Sequence, residues 1–149
     1  MSDETLVADP VQGSAALLPL YSPAQTAWGM LLGGPAAVVY FLYRNYIVLG
    51  DVAAARKTVN YGVAVILAYF GVVALLPAHA LPNGPFTVAS WFVTRGIVES
   101  MQPSTQAIIA SPVYTFHSGW RVLGMSILCA IVTAIGLFAA AFAWAFFQS

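Results

Sequence analysis

From Val122 to the C-terminus the chain carries no charged residue, and this run is long enough to cross a bilayer. Roughly 20 apolar helical residues span the ~30 Å of hydrocarbon, and VLGMSILCAIVTAIGLFAAAFAWAFF exceeds that. The rest of the chain is of the same kind. Of its 149 residues 60% are hydrophobic and 7% charged, and the mean hydropathy is +0.84. Five acids and five bases cannot cover a water-soluble domain of this size, in which about a quarter of residues are ordinarily charged. A net charge of zero also lacks the basic excess that binding a phosphate backbone requires. The composition therefore excludes a soluble enzyme, a disordered tail and a nucleic-acid binder. It leaves an all-α integral membrane protein, read here as a four-helix transmembrane bundle.

Punctuation places the helices. Ser22-Pro23-Ala24-Gln25 reads as a capping box with proline at the first helical position, and Gly50 closes the helix it opens. Pro35 falls near the middle of that first segment and frees the carbonyl of Leu31, which predicts a Pro-kinked first helix. Asp51 caps the second helix, which Pro77 ends, so the first two helices form an antiparallel hairpin. Pro82-Asn83-Gly84-Pro85 reads as a turn. The third segment is short, either a low-tilt span or a re-entrant helix, and stops before Pro103. The expected organisation is an acidic arm over 1–21, disordered or loosely docked, then one membrane domain over 22–149 with helices near 23–49, 52–76, 86–101 and 118–147. The arm has no basic residue and so lacks the positive region of a cleavable signal; the chain is expected to begin at or near Met1.

Charge placement sets the expected topology, because cytoplasmic loops collect Lys and Arg. Four spans with the N-terminus outside put Arg44, Arg56 and Lys57 in the first cytoplasmic loop and Arg95 and Arg121 beside the second. Asp3, Glu4 and Asp9 then lie on the other side with the C-terminus.

The residues that could carry chemistry are few. His79 and His117 stand apart, so no metal site is expected, and no cofactor-binding motif is present. Cys129 is the sole cysteine, which rules out an internal disulfide and reads as a small packing residue. Arg95 and Glu99 share a helix face at i and i+4. With His117 and Arg121 they form the candidate polar or ion site, although pairing and interfacial anchoring explain them more simply. Gly29 and Gly33 form a GxxxG extended by Ala37, and with Gly34 and Pro35 they mark a close-packing, kinked stretch that fits packing within one chain as well as oligomerisation. Ser22, Gln25, Asn45, Gly50 and Asp51 are capping and loop residues; Asn45 and Asn60 flank the first loop and are expected to hold the hairpin.

The stretch YSPAQTAWGMLLGGPAAVVYFLYRNYIVLG and the later FHSGWRVLGMSI resemble the two signatures of a group of small bacterial polytopic membrane proteins. The matching positions are Ser22, Gln25, Gly33, Gly34, Pro35, Asn45, Gly50, Ser118, Trp120 and Arg121; the sequence departs at SPVYT, where those proteins carry a glycine-rich, more charged stretch. The resemblance implies a bacterial inner membrane and this helix order, and carries no activity. The leading expectation is a non-catalytic membrane protein acting by association, as an accessory subunit, regulator or immunity-type partner. Its partners would be the lipid bilayer and either a second membrane protein or further copies of itself. The alternative is the protomer of a homo-oligomeric ion or small-solute channel or transporter. A membrane enzyme ranks third, since it would need the scattered Arg95, Glu99, His117 and Arg121 to converge.

Overall fold

The structure is a computed structural model and describes residues 17–75 and 83–148. Most of the arm, Pro77, His79 and Pro82 lie outside the described residues. The chain forms β1 (Leu18–Leu20), α1 (Pro23–Val48), α2 (Val52–Leu75), α3 (Asn83–Met101), α4 (Thr105–Ala110), β2 (Tyr114–Phe116) and α5 (Gly119–Gln148).

The capping box opens α1 as the sequence requires: Ser22 Oγ accepts from the Gln25 N–H at 3.1 Å, and Gln25 Oε1 accepts from the Ser22 N–H at 3.0 Å. The centre of α1 departs from expectation. Gly34 leaves the helix with φ 68° and ψ −166°, a conformation open essentially to glycine alone. The Tyr21 N–H then donates to Asn45 Oδ1 at 2.8 Å, and Asn45 Nδ2 donates back to the Tyr21 carbonyl at 2.7 Å. A straight helix would hold residues 23 and 45 about 33 Å apart. They meet, so α1 is a helical hairpin: one limb runs from Pro23 to Gly33, the chain reverses at Gly34, and a second limb returns from Pro35 to Val48. Side chains across the limbs agree, with Tyr21 stacked on Phe41 at 4.3 Å between ring centroids and the Phe41 ring lying against Gly29 where a Cβ would be.

This corrects the kinked first helix. Proline removes one hydrogen bond and bends a helix; the full reversal needs the positive φ of the preceding glycine. Among the described residues two stretches are long and apolar enough to cross a membrane, Pro23–Val48 and Gly119–Ala139, but the first takes a doubled path and reaches only about half its contour length. It is the first segment that folds back, not the third. Asn83-Gly84-Pro85 forms the opening turn of α3 rather than a preceding loop, and α3 is about 28 Å long. The described residues are thus mostly helical, with five helices, of which two are long and apolar enough to cross a membrane.

The junction between α1 and α2 follows the sequence. Gly50 takes φ 77°, and Asp51 Oδ1 caps α2 by accepting from the Ala54 N–H at 2.8 Å. The end of the arm is not loose, however. Leu18, Pro19 and Leu20 pair in parallel with Tyr114, Thr115 and Phe116, flanked by Leu18 N–H to Val113 carbonyl at 2.8 Å and His117 N–H to Leu20 carbonyl at 3.1 Å.

The α1 hairpin is the hub. α2, α3 and α5 each pack on it and scarcely on one another. The core comprises Tyr21, Ala37, Phe41 and Val122, with Tyr40, Met125 and Cys129 packed against it; Cys129 takes the packing role expected of it.

Candidate functional site

Hydrogen bonds gather the element ends at one pole, called here the basal end. Asn45, 3% exposed, sits at its centre: beyond its two bonds to Tyr21, its Nδ2 donates to Gln102 Oε1 at 2.8 Å. Gln102 Nε2 in turn donates to the Leu42 carbonyl at 3.2 Å. Gln25 Nε2 donates to the His117 carbonyl at 2.7 Å, and Tyr46 Oη donates to the Met101 carbonyl at 3.0 Å. Both ends of the hairpin, the start of α2, the end of α3 and the start of α5 are thus held together. Each such bond contributes about 0.5–1.5 kcal/mol net, and a buried group left unpaired costs about 1–3 kcal/mol.

One consequence concerns topology. Tyr21 and the Gly50–Asp51 junction lie at the same end, so the chain enters α1 on the side that carries Arg44, Arg56, Lys57 and Arg121. A straight first helix would have put the entry and the first basic loop at opposite ends of the molecule; the doubled path of α1 puts them at the same end. Asn45 does hold a hairpin, but the one within α1, and its partners are Tyr21 and Gln102 rather than Asn60.

The His117 ring lies against Tyr21 at 4.2 Å between centroids, tilted by 37°. Burial, and then the nearby charges of Arg121 and Arg44, pull its pKa below the ordinary value, favouring the neutral ring. Burial chiefly, with Tyr40 beside it, raises the Tyr21 phenol. Arg121 and Arg44 oppose that rise, but the Tyr21 hydroxyl has no partner at hydrogen-bonding geometry.

The other half of the polar set is separate. Arg95 Nε meets Glu99 Oε1 at 2.9 Å, with the side chains 44% and 41% exposed, and the Arg95 guanidinium lies over the Trp91 ring at 5.5 Å. Among the described residues no hydrogen bond or ion pair joins this pair to His117 or Arg121. The four residues therefore form two places: a paired ion couple on α3, and an imidazole beside two guanidiniums at the basal end. Among the described residues no group of three or more His, Cys, Asp or Glu is placed to hold a metal.

The small residues of α1 are consumed inside the chain. Gly29 accommodates Phe41, and a Cβ on Gly33 would lie 2.5 Å from the Ser126 carbonyl oxygen on α5 and 2.8 Å from the Ala37 Cβ. Gly34 faces open space, so its requirement is conformational.

A cleft of about 440 Å³ opens between α2 and α3, floored by the returning limb of α1. Its walls are mostly apolar, with Val38 and Leu42 on the floor and Val65 and Ile97 at the sides. Lys57 lies at its basal mouth. The residues that sequence reasoning missed, Gln102 and Tyr46, act only across 55 or more positions, and nothing local distinguishes them from any other amide or phenol near a helix end.

No family model, no curated protein and no solved structure matches this chain.

Proposed function

We propose that the chain is a multi-pass membrane protein, with α2, α3 and α5 crossing and α1 entering as a re-entrant hairpin, and that it acts by association rather than catalysis. The observation that supports this reading is the segregation of its surface. Polar groups pair at the basal end, while the outer faces of α2 and α5 present Leu67 at 68%, Phe138 at 82% and Phe142 at 75% exposure. Water does not tolerate contiguous apolar surface of that extent; hydrocarbon and neighbouring membrane helices do. Non-helical backbone at membrane depth also requires protein around it, and Gly33 and Pro35 on either side of the reversal are buried, Gly33 against Ser126 of α5. The basic basal end faces the cytoplasm of a cytoplasmic membrane on this reading, with the entry to α1 on the same side. Because Gly29 and Gly33 are already occupied, association uses the outer faces.

The test is vectorial labelling of single-cysteine chains in a Cys129→Ala background, using an impermeant maleimide on sealed vesicles. Leu17→Cys and Val113→Cys should label from one side and Gln148→Cys from the other. Labelling of all three from one side overturns three crossings, and recovery without detergent overturns membrane residence. Native mass spectrometry of the mild-detergent extract then tests association: a fixed-stoichiometry second protein or a defined homo-oligomer supports it, and a monomer alone removes it.

A channel protomer is the second reading, favoured by the broken helix whose Gly34 tip stands at half depth in open space. The apolar lining of the cleft weighs against it as a route for ions. Proteoliposome flux that disappears in Gly34→Ala would move it forward.

A further inference from the structure

We infer that the cleft between α2 and α3 is a binding site for one acyl chain of an anionic phospholipid, with Lys57 as the contact for the phosphate. The inference rests on the membrane reading above. Four observations lead to it. The cleft opens sideways, because α2 and α3 both pack on α1 and scarcely on each other, so a lipid can enter from the bilayer. Its basal end is closed on the α1–α3 side, where Tyr46 Oη bonds the Met101 carbonyl at 3.0 Å, which leaves the α2 side, with Lys57, as the mouth. Its lining runs along α2 from Ala54 to Tyr69, about 22 Å of helix, of which the roughly 18 Å from Lys57 onward is comparable to the ~15 Å depth of a single leaflet. Its charge is placed at one end only: Lys57 stands at the mouth, at the pole where Arg56, Arg44 and Arg121 also lie.

Size and charge together select the occupant. The slot of about 440 Å³ is lined on three sides by α1, α2 and α3, which suits an extended chain lying along the helices. A narrow apolar slot a leaflet deep, with a cation where the headgroups lie, matches an extended hydrocarbon chain ending in a phosphate. A zwitterionic lipid would fit the slot but use the lysine less, since each Lys near the surface favours an anionic lipid by about fivefold.

The experiment is native mass spectrometry of the full chain in mild detergent, titrated separately with diacyl phosphatidylglycerol, phosphatidylcholine of the same chains, and glycerol phosphate. The expected result is one tightly held phosphatidylglycerol, retained about fivefold better than phosphatidylcholine, with no retention of glycerol phosphate. Lys57→Gln should reduce that preference to near one. Thr94→Trp, which fills the slot from α3, should weaken both lipids by about tenfold or more. Should Thr94→Trp fail to elute as folded protein, Lys57→Gln decides alone, because its side chain is exposed and leaves the volume unchanged.

Equal retention of both lipids with no effect of Lys57→Gln overturns the assignment. So does binding that survives in folded Thr94→Trp, which places lipid on the outer surface. A dimer that excludes lipid assigns the cleft to a second copy instead. A chain that needs detergent yet holds no lipid overturns this inference alone, whereas a chain soluble without detergent overturns the membrane reading beneath it.

Discussion

Helices α1 and α5 are both apolar, and the more apolar of the two is the less buried. In the most hydrophobic stretch of α5 only 11% of residues are buried, against 44% for α1. In water this order would be reversed, because burial there follows the apolar area removed from solvent. Here burial follows small residues and polar partners. Gly29, Gly33 and Ala37 let backbones approach, and Asn45 and Gln102 supply hydrogen bonds, which is how helices associate when the surroundings are as apolar as leucine. α5 contributes one contact face, around Val122, Ser126 and Cys129, and leaves Phe138, Phe142 and Phe146 outside.

Substitutions can break this contrast, with thermal unfolding in detergent and alkylation of Cys129 as readouts, since that thiol packs on the core and is exposed by opening. Gly33→Leu is expected to have the largest effect, about 3 kcal/mol of destabilisation. The added atoms meet the Ser126 backbone, which cannot rotate away, so Tm should fall and Cys129 should react quickly. A Gly33→Leu chain of wild-type Tm would mean that α1 and α5 are not in contact.

Asn45→Leu comes next. It leaves the Tyr21 N–H and carbonyl and the Gln102 Oε1 without these partners, at about 2.5 kcal/mol, and faster hydrogen exchange at Tyr21 would locate the loss. Gly34→Ala isolates the reversal itself: with nothing near the new Cβ, only the backbone term of about 2 kcal/mol applies. A Gly34→Ala chain as stable as wild type would argue for a straight α1.

The pH dependence should be smaller and confined to acid. His117 is depressed below its ordinary 6.5 in the folded chain, so below that value the unfolded state takes up a proton that the folded state resists. Stability should be full above pH 6.5 and decline as the pH falls beneath it. His117→Phe, which keeps an aromatic ring on Tyr21, should remove the decline.

Smallest of all, Arg95→Gln and Phe138→Ala are each expected to change stability by about 0.5 kcal/mol or less, the first because its ion pair is exposed and the second because it borders the surroundings on either side of unfolding. A Phe138→Ala chain that dissociates a native complex would identify the outer face of α5 as the association surface.

How far the sequence could be read depended on the distance over which each feature acts. The Ser22–Gln25 box, the Asp51 cap, the Gly50 turn and the Arg95–Glu99 pair are all settled within four residues, and each forms as expected. Gln102 was invisible because its bonds to Asn45 and Leu42 cross 57 and 60 positions. The parallel pairing of three-residue strands at residues 18 and 114 leaves no periodic signal in either segment. The candidate site was half legible. His117 and Arg121 do lie together with Arg44, but the Tyr21 ring that brings them together was not foreseen, and the neighbouring Arg95 and Glu99 form their own pair.

What the sequence determined by itself is the strongly apolar character of the chain and the capped starts of α1 and α2, since composition and capping are local properties. Whether α1 runs straight through or turns back was decided only by tertiary structure. Pro35 permits a bend of any size. The reversal exists because Gly34 can take a positive φ and because, once the limbs are folded together, Asn45 satisfies the backbone of Tyr21, a bond whose two ends are joined only in the folded chain.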